Sequence, residues 1–259
     1  MTSSETLKKQ TGLSLVDRCK HFQKEFPAPP MNMVLLRRVY AQHGIRKKKY
    51  RYFKQPKDND PEKQRQQLTT MKQLLTKATK ADFRVVYIDE TCFTRKTMVD
   101  TEYNLPKQNT TIDTVRLQEP TLALLNAISK EKGQEHYMVF PKSVNMAKFK
   151  KWLDAMRAAN GDDKICLLMD NLSVHRSDKA KNYMKELGFR YIFCPAYSPQ
   201  YNPIELVFAK IKQRFKALRA KKLVGLLQDD HEALVHKAVK SVRKKDIVNC
   251  IDHVLRLLK

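Results

Sequence analysis

Three carboxylates stand where apolar segments of the chain end or begin. Asp89 follows the run Phe83–Ile88, Asp170 follows the run Ile165–Met169, and Glu205 comes shortly after a proline. Both runs are short and rich in β-formers, which is typical of buried strands, and the proline favours a helix start close to Glu205. Because two strand ends and one helix start can meet at one edge of a sheet, we expect the three carboxylates to lie close together.

Carboxylates gathered in this way repel one another unless a cation lies between them. Mg²⁺ and similar hard ions prefer oxygen ligands and are held by a few carboxylates together with substrate phosphates. Two such ions, roughly 3.5–4 Å apart, can hold both the attacking and the leaving oxygen of a phosphodiester. The pattern therefore predicts a two-metal site in which Asp89 is shared between the ions, while Asp170 and Glu205 each bind one.

The residues that flank the carboxylates form three blocks. These are Asp89-Glu90-Thr91, then Asp170-Asn171 with His175 following, and then Pro195-Ala196-Tyr197-Ser198-Pro199 leading to Asn202-Pro203-Ile204-Glu205. With 34 residues between Asp170 and Glu205, the blocks resemble the catalytic signature of mariner-like transposases and their bacterial insertion-sequence relatives, over roughly Lys47 to Leu223. The resemblance implies a DDE enzyme with an RNase H-like fold, Mg²⁺ or Mn²⁺ as cofactor, and cut-and-paste DNA transposition. It also implies a pair of chains that bridges two terminal inverted repeats and joins them to target DNA.

Asn171 and His175 are predicted to support the site rather than to bind metal. Asn171 could orient the Asp170 carboxylate as a hydrogen-bond donor. His175 could contact a DNA phosphate or cap the helix that follows, and hard cations favour oxygen over its nitrogen atoms.

The charge of the chain points to a polyanionic partner. The formal net charge is +24, with +13 in residues 1–80, +2 in residues 81–205 and +9 in residues 206–259. Two basic arms around a nearly neutral centre favour binding to nucleic acid, because Lys and Arg displace condensed counterions from phosphates. No apolar stretch of about 18 residues is present to span a bilayer, no secretory signal is found, and no membrane partner is expected.

The first 57 residues are predicted to form a small helical DNA-binding region. Helical periodicity over Lys8–Phe26 and Met31–His43 indicates two helices, which suggests a helix-turn-helix-like unit whose second helix carries Arg37 and Arg38; a plain helical hairpin is the alternative. A basic run with interleaved aromatic residues follows and contains Arg46, Lys47, Lys48, Lys49 and Arg51. It suits phosphate contacts, although a solvated strand or a nuclear-import patch would show the same composition.

The rest of the chain reads as an α/β domain: an RNase H-like mixed sheet with flanking helices. We expect a linker and helix over 58–80, a catalytic domain over 81–222 and C-terminal helices over 223–259. Residues Thr91–Val99 are predicted to be an antiparallel partner of the strand that ends at Asp89. The helix after Glu205 should bury an apolar stripe and present Lys210 and Arg214 to the DNA duplex.

Two other functions compete with transposition. The relatives usually carry two helix-turn-helix units, and this sequence has room for one, so a shortened or host-adopted copy that only binds DNA is one alternative. A nuclease without strand transfer is the other. In each case we expect the protein to act in the nucleus of a eukaryote or in the cytoplasm and nucleoid of a bacterium, and not to be secreted.

Overall fold

The computed structural model describes residues 15–28, 30–45, 60–98, 119–223 and 225–258. It divides into two compact units, Met1–Gln55 and Pro56–Lys259. The basic run from Arg46 to Arg51 lies outside the described residues, so the DNA-contact predictions for Arg46, Lys47, Lys48, Lys49 and Arg51 stay predictions.

The first unit contains the two helices that the periodicity indicates. Helix α1 spans Leu15–Glu25 and α2 spans Met33–Gln42. Asn32 begins α2 by accepting the Leu35 N–H at 2.8 Å, as a short polar cap does. A small apolar core joins the helices through Cys19, Phe22 and Leu36.

The second unit is built on a mixed five-stranded sheet. Its strands are β1 Arg84–Phe93, β2 Leu122–Ser129, β3 Gly133–Pro141, β4 Ile165–Met169 and β5 Arg190–Phe193. The order is β3-β2-β1-β4-β5, with β1–β2 and β2–β3 antiparallel and β1–β4 and β4–β5 parallel. The predicted mixed α/β architecture is confirmed.

One strand prediction was wrong. Strand β1 does not end at Asp89 but continues to Phe93, and its antiparallel partner is β2 rather than Thr91–Val99. The two consecutive carboxylates look like a strand end in the sequence, but Asp89 faces a cleft and Glu90 accepts the Val144 N–H at 3.3 Å. Both acids are therefore accommodated inside the strand.

Helices cover both faces of the sheet. They are α3 Pro61–Lys80, α4 Met146–Asn160, the short α5 Ser173–Arg176, α6 Asp178–Glu186, α7 Ile204–Leu223, α8 His231–Lys240 and α9 Lys244–Leu257. Helices α3, α7, α8 and α9 contribute to the core on one face, and α4 and α6 to the core on the other. Burial of apolar side chains on both faces is the main stabilising contribution, and it fixes the elements that carry the carboxylates.

All five cysteines are free thiols, in agreement with their wide spacing in the sequence. Among the described helices, none is both long and apolar enough to cross a membrane.

Candidate active site

Two of the three carboxylates are placed by the pairing of β1 with β4. These strands are parallel neighbours, and Tyr87 is in register with Leu168. Asp89 and Asp170 each lie two residues further along, so they lie side by side at the point where β4 has just ended. Because side chains alternate along a strand, the equal offset directs both carboxylates to the same face.

The third carboxylate comes from the first turn of α7. This helix begins at Ile204, directly after Pro203, and packs through Val207 and Ile211 into the core that also contains β1 residues. Asp89, Asp170 and Glu205 line one cleft of about 450 Å³. Sequence-distant acids thus share one opening, as the spacing predicts.

Electrostatic strain is concentrated on Asp89. Burial raises its pKa to about 7, and the charges of Asp170 and Glu205 contribute to the rise, whereas the Glu90 N–H at 2.7 Å opposes it. Burial and Asp170 also raise the pKa of Glu205, although this residue is exposed at the cleft, and the Lys212 ammonium partly offsets them. A group of oxygen donors in mutual repulsion is what a hard divalent cation stabilises.

The carboxylates face the cleft but are held apart. In the described part of the chain, no three His, Cys, Asp or Glu side chains stand together closely enough to bind an ion as they are. The three carboxylates thus share a cleft, as expected, but do not form a ready-made set of ligands. Their oxygen donors still fit Mg²⁺ or Mn²⁺ by their chemistry.

Asn202 ties the strand of Asp89 to the helix of Glu205. It is buried, its Nδ2 donates to the Ile88 carbonyl at 3.3 Å, and its Oδ1 accepts the Ile204 N–H at 3.4 Å. Each contact is made to the residue just before a carboxylate. Asn202 belongs to the motif that leads to Glu205, but its role could not be predicted from the sequence, because a hydrogen bond to β1 across 114 positions leaves no local signal.

His175 is directed at Asp170. Its ring is buried, and Nδ1 lies 2.9 Å from the Asp170 carboxylate oxygen, which also accepts the Leu172 N–H at 3.2 Å. Phe149 packs on the other side of the ring, with centroids 4.9 Å apart. These contacts favour the predicted supporting role of His175. His175 does not cap α6, because Ser177 does so by accepting the Ala180 N–H.

Asn171 does not orient Asp170 in the way that was suggested. Its side-chain amide instead donates to the Cys194 carbonyl at the end of β5. Asn171 therefore joins the loop after β4 to the segment that leads toward Glu205, and its support of the site is indirect.

Further residues complete the cleft wall. Arg176 and Tyr197 both line the cleft and are both exposed. Arg176 was not predicted from the sequence. Ser198 is buried and donates to the Ala196 carbonyl at 3.1 Å, and Tyr201 packs against the core. Among Tyr197, Ser198 and Tyr201, Tyr197 alone is exposed.

The predicted DNA-contact residues of the described chain lie at the surface. Arg37 and Arg38 are exposed on α2, and Lys210 and Arg214 are exposed one turn apart on α7. Lys210 lies 4.0 Å from the Asp246 carboxylate of α9, so its charge is partly engaged within the protein. No described contact tests these residues against DNA, and their roles stay predictions.

The fold and the cleft together define a class of protein: an α/β protein with three carboxylates in one cleft, whose oxygen donors suit the metal-assisted chemistry of phosphodiesters. A comparison with protein families identifies the family, because the family model of the DDE superfamily endonucleases matches residues 84–227. The chain belongs to this family, and the expectation of a DDE enzyme is confirmed.

Solved structures support the RNase H-like fold. The Mos1 strand transfer complex is similar with a TM-score of 0.70 and 16% identity, covering 98% of this chain and 74% of that one. The Mos1 mariner paired-end complex with Mn gives 0.65 and 14%, covering 100% and 77%, and the catalytic domain of Mos1 mariner transposase gives 0.51 and 15%, covering 80% and 94%. No curated protein matches the sequence significantly.

Proposed function

We propose that this DDE endonuclease is a DNA transposase that cleaves the ends of a mobile element and joins them to target DNA. The observation that carries the proposal is the shared cleft of Asp89, Asp170 and Glu205, in which burial and like charge raise the pKa of Asp89. The similar Mos1 structures are a strand transfer complex and paired-end complexes, which supports both steps.

The cofactor is proposed to be a pair of Mg²⁺ or Mn²⁺ ions held by these three residues, with Asp89 shared. When bound, the metal supplies activation of water or of a DNA 3′-OH and stabilisation of the leaving oxygen. The chain contributes the positions of the ligands. His175 fixes the orientation of Asp170, and Asn202 fixes the spacing between the elements that carry Asp89 and Glu205.

Lys212 assists by keeping Glu205 available as an anion. Its charge lowers the pKa of Glu205 against the effects of burial and Asp170. A carboxylate must be deprotonated to bind a metal, so this contribution favours cofactor binding near neutral pH.

The partners are proposed to be the terminal inverted repeats and target DNA, bound by two copies of the chain. The excess of Lys and Arg over Asp and Glu supports phosphate contacts. The protein would act where chromosomal DNA lies, which is the nucleus of a eukaryote or the cytoplasm and nucleoid of a bacterium. Sedimentation of the protein with an end duplex distinguishes two chains per complex from one.

Cleavage and joining can be measured on DNA of arbitrary sequence. The protein is incubated with Mn²⁺, a fluorescent duplex that carries a free 3′-OH, and a supercoiled plasmid. Label that becomes covalently attached to the plasmid reports strand transfer, and relaxed or linear plasmid without label reports cleavage alone. Genomic sequence that flanks the coding region supplies candidate inverted repeats for the duplex.

Asp170→Asn is the informative variant. Asparagine is isosteric, so its Oδ1 can still accept from His175 and the Leu172 N–H, but it is a poor ligand for a hard cation. We expect product formation to be lost while DNA binding remains. Asp162→Asn, at an exposed turn residue, is the matched control and should behave as wild type.

The outcomes separate the three functions. Labelled plasmid that disappears with Asp170→Asn supports the transposase, and nicking without joining identifies a nuclease. A stable DNA complex without product identifies a binding protein, and cleavage that persists in Asp170→Asn would show that the site is assigned wrongly.

A further inference from the structure

Tyr197 has a backbone conformation that a bulky residue rarely adopts. Its φ is +54°, in the left-handed region, where the Cβ atom of a non-glycine residue is crowded. Two other non-glycine residues of the described ranges, Asp82 and Lys142, also have a positive φ, and like Tyr197 they lie in turns or bends, but neither is aromatic. An aromatic residue held there requires a specific explanation, because such strain concentrates at functional sites.

Two glutamines of α3 hold the backbone directly before Tyr197. Gln67 accepts the Ala196 N–H at 3.1 Å, and Gln64 donates to the Ala196 carbonyl at 3.2 Å. Ser198 donates to the same carbonyl at 3.1 Å. Both backbone polar groups of the residue before Tyr197 are thus fixed from a helix about 130 positions away in the sequence, so the loop cannot relax.

The Tyr197 side chain gains little from this arrangement in the folded protein. It is 69% exposed, and the hydrophobic stabilisation of a side chain is proportional to the area that it buries. The residue nevertheless lines the cleft that contains Asp89, Asp170 and Glu205. Strain and exposure together disfavour a purely structural role and favour a ligand for the ring.

The chemistry of the cleft indicates which ligand. The carboxylates suit a phosphodiester through divalent cations, and Arg176 adds an exposed guanidinium on the cleft wall. An aromatic ring beside such groups offers a flat surface to a base, since every nucleobase has a π-face and stacks on aromatic side chains. The cleft thus offers one nucleotide a contact for its phosphate, at the carboxylates and their cations, and a contact for its base, at the aromatic ring.

We propose that the Tyr197 ring is a stacking platform for a nucleobase next to the phosphodiester bond that the carboxylates cut. This inference rests on the proposed function, because it takes DNA as the substrate. The two glutamines that hold the Ala196 backbone position the backbone from which the ring projects, so binding orders fewer backbone groups.

Three substitutions separate the aromatic face from the strain. Tyr197→Phe keeps the ring and the strain, Tyr197→Leu keeps apolar bulk and strain without a π-face, and Tyr197→Gly removes both. The measurements are the KM and kcat of cleavage in Mn²⁺, and the fluorescence of 2-aminopurine placed beside the cleaved bond.

We expect Tyr197→Phe to remain within about twofold of wild type. Tyr197→Leu and Tyr197→Gly should raise KM by about tenfold and lose the change in 2-aminopurine fluorescence that wild type gives on binding. Tyr197→Gly should also unfold at a higher temperature than wild type, because glycine adopts this φ without strain. A raised melting temperature with weakened substrate binding excludes misfolding as the cause.

Two results would overturn the inference while leaving the proposed function intact. One is a Tyr197→Leu variant with the KM and fluorescence response of wild type. The other is a loss in Tyr197→Phe as large as in Tyr197→Leu, which would assign the effect to the hydroxyl group. Absence of DNA cleavage in the wild type itself would refute the proposed function instead.

Discussion

Replacing Asp89 by asparagine should remove activity and stabilise the protein in the absence of metal. Burial and the neighbouring carboxylates raise the pKa of Asp89 from 3.8 to about 7. A pKa that is higher in the folded chain means that the folded chain binds the proton more tightly. The free energy of unfolding therefore falls as pH rises from about 4 to about 7, and the penalty is fully present above about pH 7.

The size of the effect follows from the difference between the two pKa values. A rise from 3.8 to about 7 corresponds to about 4 kcal/mol for the ionised form. Asparagine keeps the acceptor for the Glu90 N–H and carries no charge, although burial of its NH₂ group offsets part of the gain. We expect Asp89→Asn to be more stable than wild type by about 2 to 4 kcal/mol at about pH 8. At about pH 5 the two proteins should differ by no more than about 1 kcal/mol.

The assay is urea unfolding in EDTA, followed by the fluorescence of Trp152. This is the one tryptophan of the chain, and it is fully buried in α4, so its emission reports loss of the core. Asp162→Asn makes the same chemical change at an exposed turn and should alter the stability little at either pH. Saturating Mn²⁺ should reverse the order, because a ligand that binds only the folded chain stabilises it and wild type binds it better.

Two observations would refute this reasoning. If Asp89→Asn were less stable than wild type at about pH 8 in EDTA, the buried charge of Asp89 would not lower the free energy of unfolding. If its advantage were the same at both pH values, the difference would come from packing rather than ionisation.

Two further substitutions test the supports of the site. Asn202→Ala should lower the kcat of cleavage by about tenfold or more with little change in KM, because residues that support metal ligands are worth about 10- to 100-fold. Steady-state rates in Mn²⁺ measure this effect. An unchanged kcat would show that the hydrogen bonds of Asn202 do not support the active site. Arg219, which is 2% exposed, donates to the carbonyls of Thr94, Arg95 and Thr97 at 3.0–3.2 Å and lies 2.9 Å from the Glu119 carboxylate. Arg219→Met should cost about 1–3 kcal/mol in urea unfolding, because it leaves three carbonyls without their donor, while Glu119 keeps Lys222 and His231 as partners. A loss well below about 1 kcal/mol would show that these hydrogen bonds contribute little.

Much of the fold could be predicted because local signals and tertiary structure agree. Asn145 precedes α4 and caps it by accepting the Lys148 N–H at 3.0 Å, and Gly188 follows α6 with φ +73°. Such residues mark helix ends by their own chemistry. The end of β1 was missed because strand pairing is not local: Phe93 is held in the sheet by its pairing with Leu122, which lies beyond a segment with no clear pattern.

The same distinction applies to the site. The three carboxylates could be predicted from residue type and flanking motif, and register then places Asp89 and Asp170 together. The supports could not be predicted, because each joins positions that are remote in sequence. Asn202 contacts β1, and two glutamines of α3 hold the backbone before the left-handed Tyr197. A linear motif shows that such residues are present but not what they hold.

Two features of the cleft lower the stability of the folded chain, and they help to decide whether it is an enzyme or only a DNA-binding protein. Burial and neighbouring charges oppose the ionisation of Asp89, and Tyr197 adopts a strained φ without burying its ring. DNA binding through surface lysines and arginines requires neither feature. In a protein that only bound DNA, stabilising substitutions at both positions would carry no functional loss. The presence of both costs in one cleft, with Asn202 and the two glutamines fixing the surrounding backbone, therefore favours an enzyme whose active site is intact.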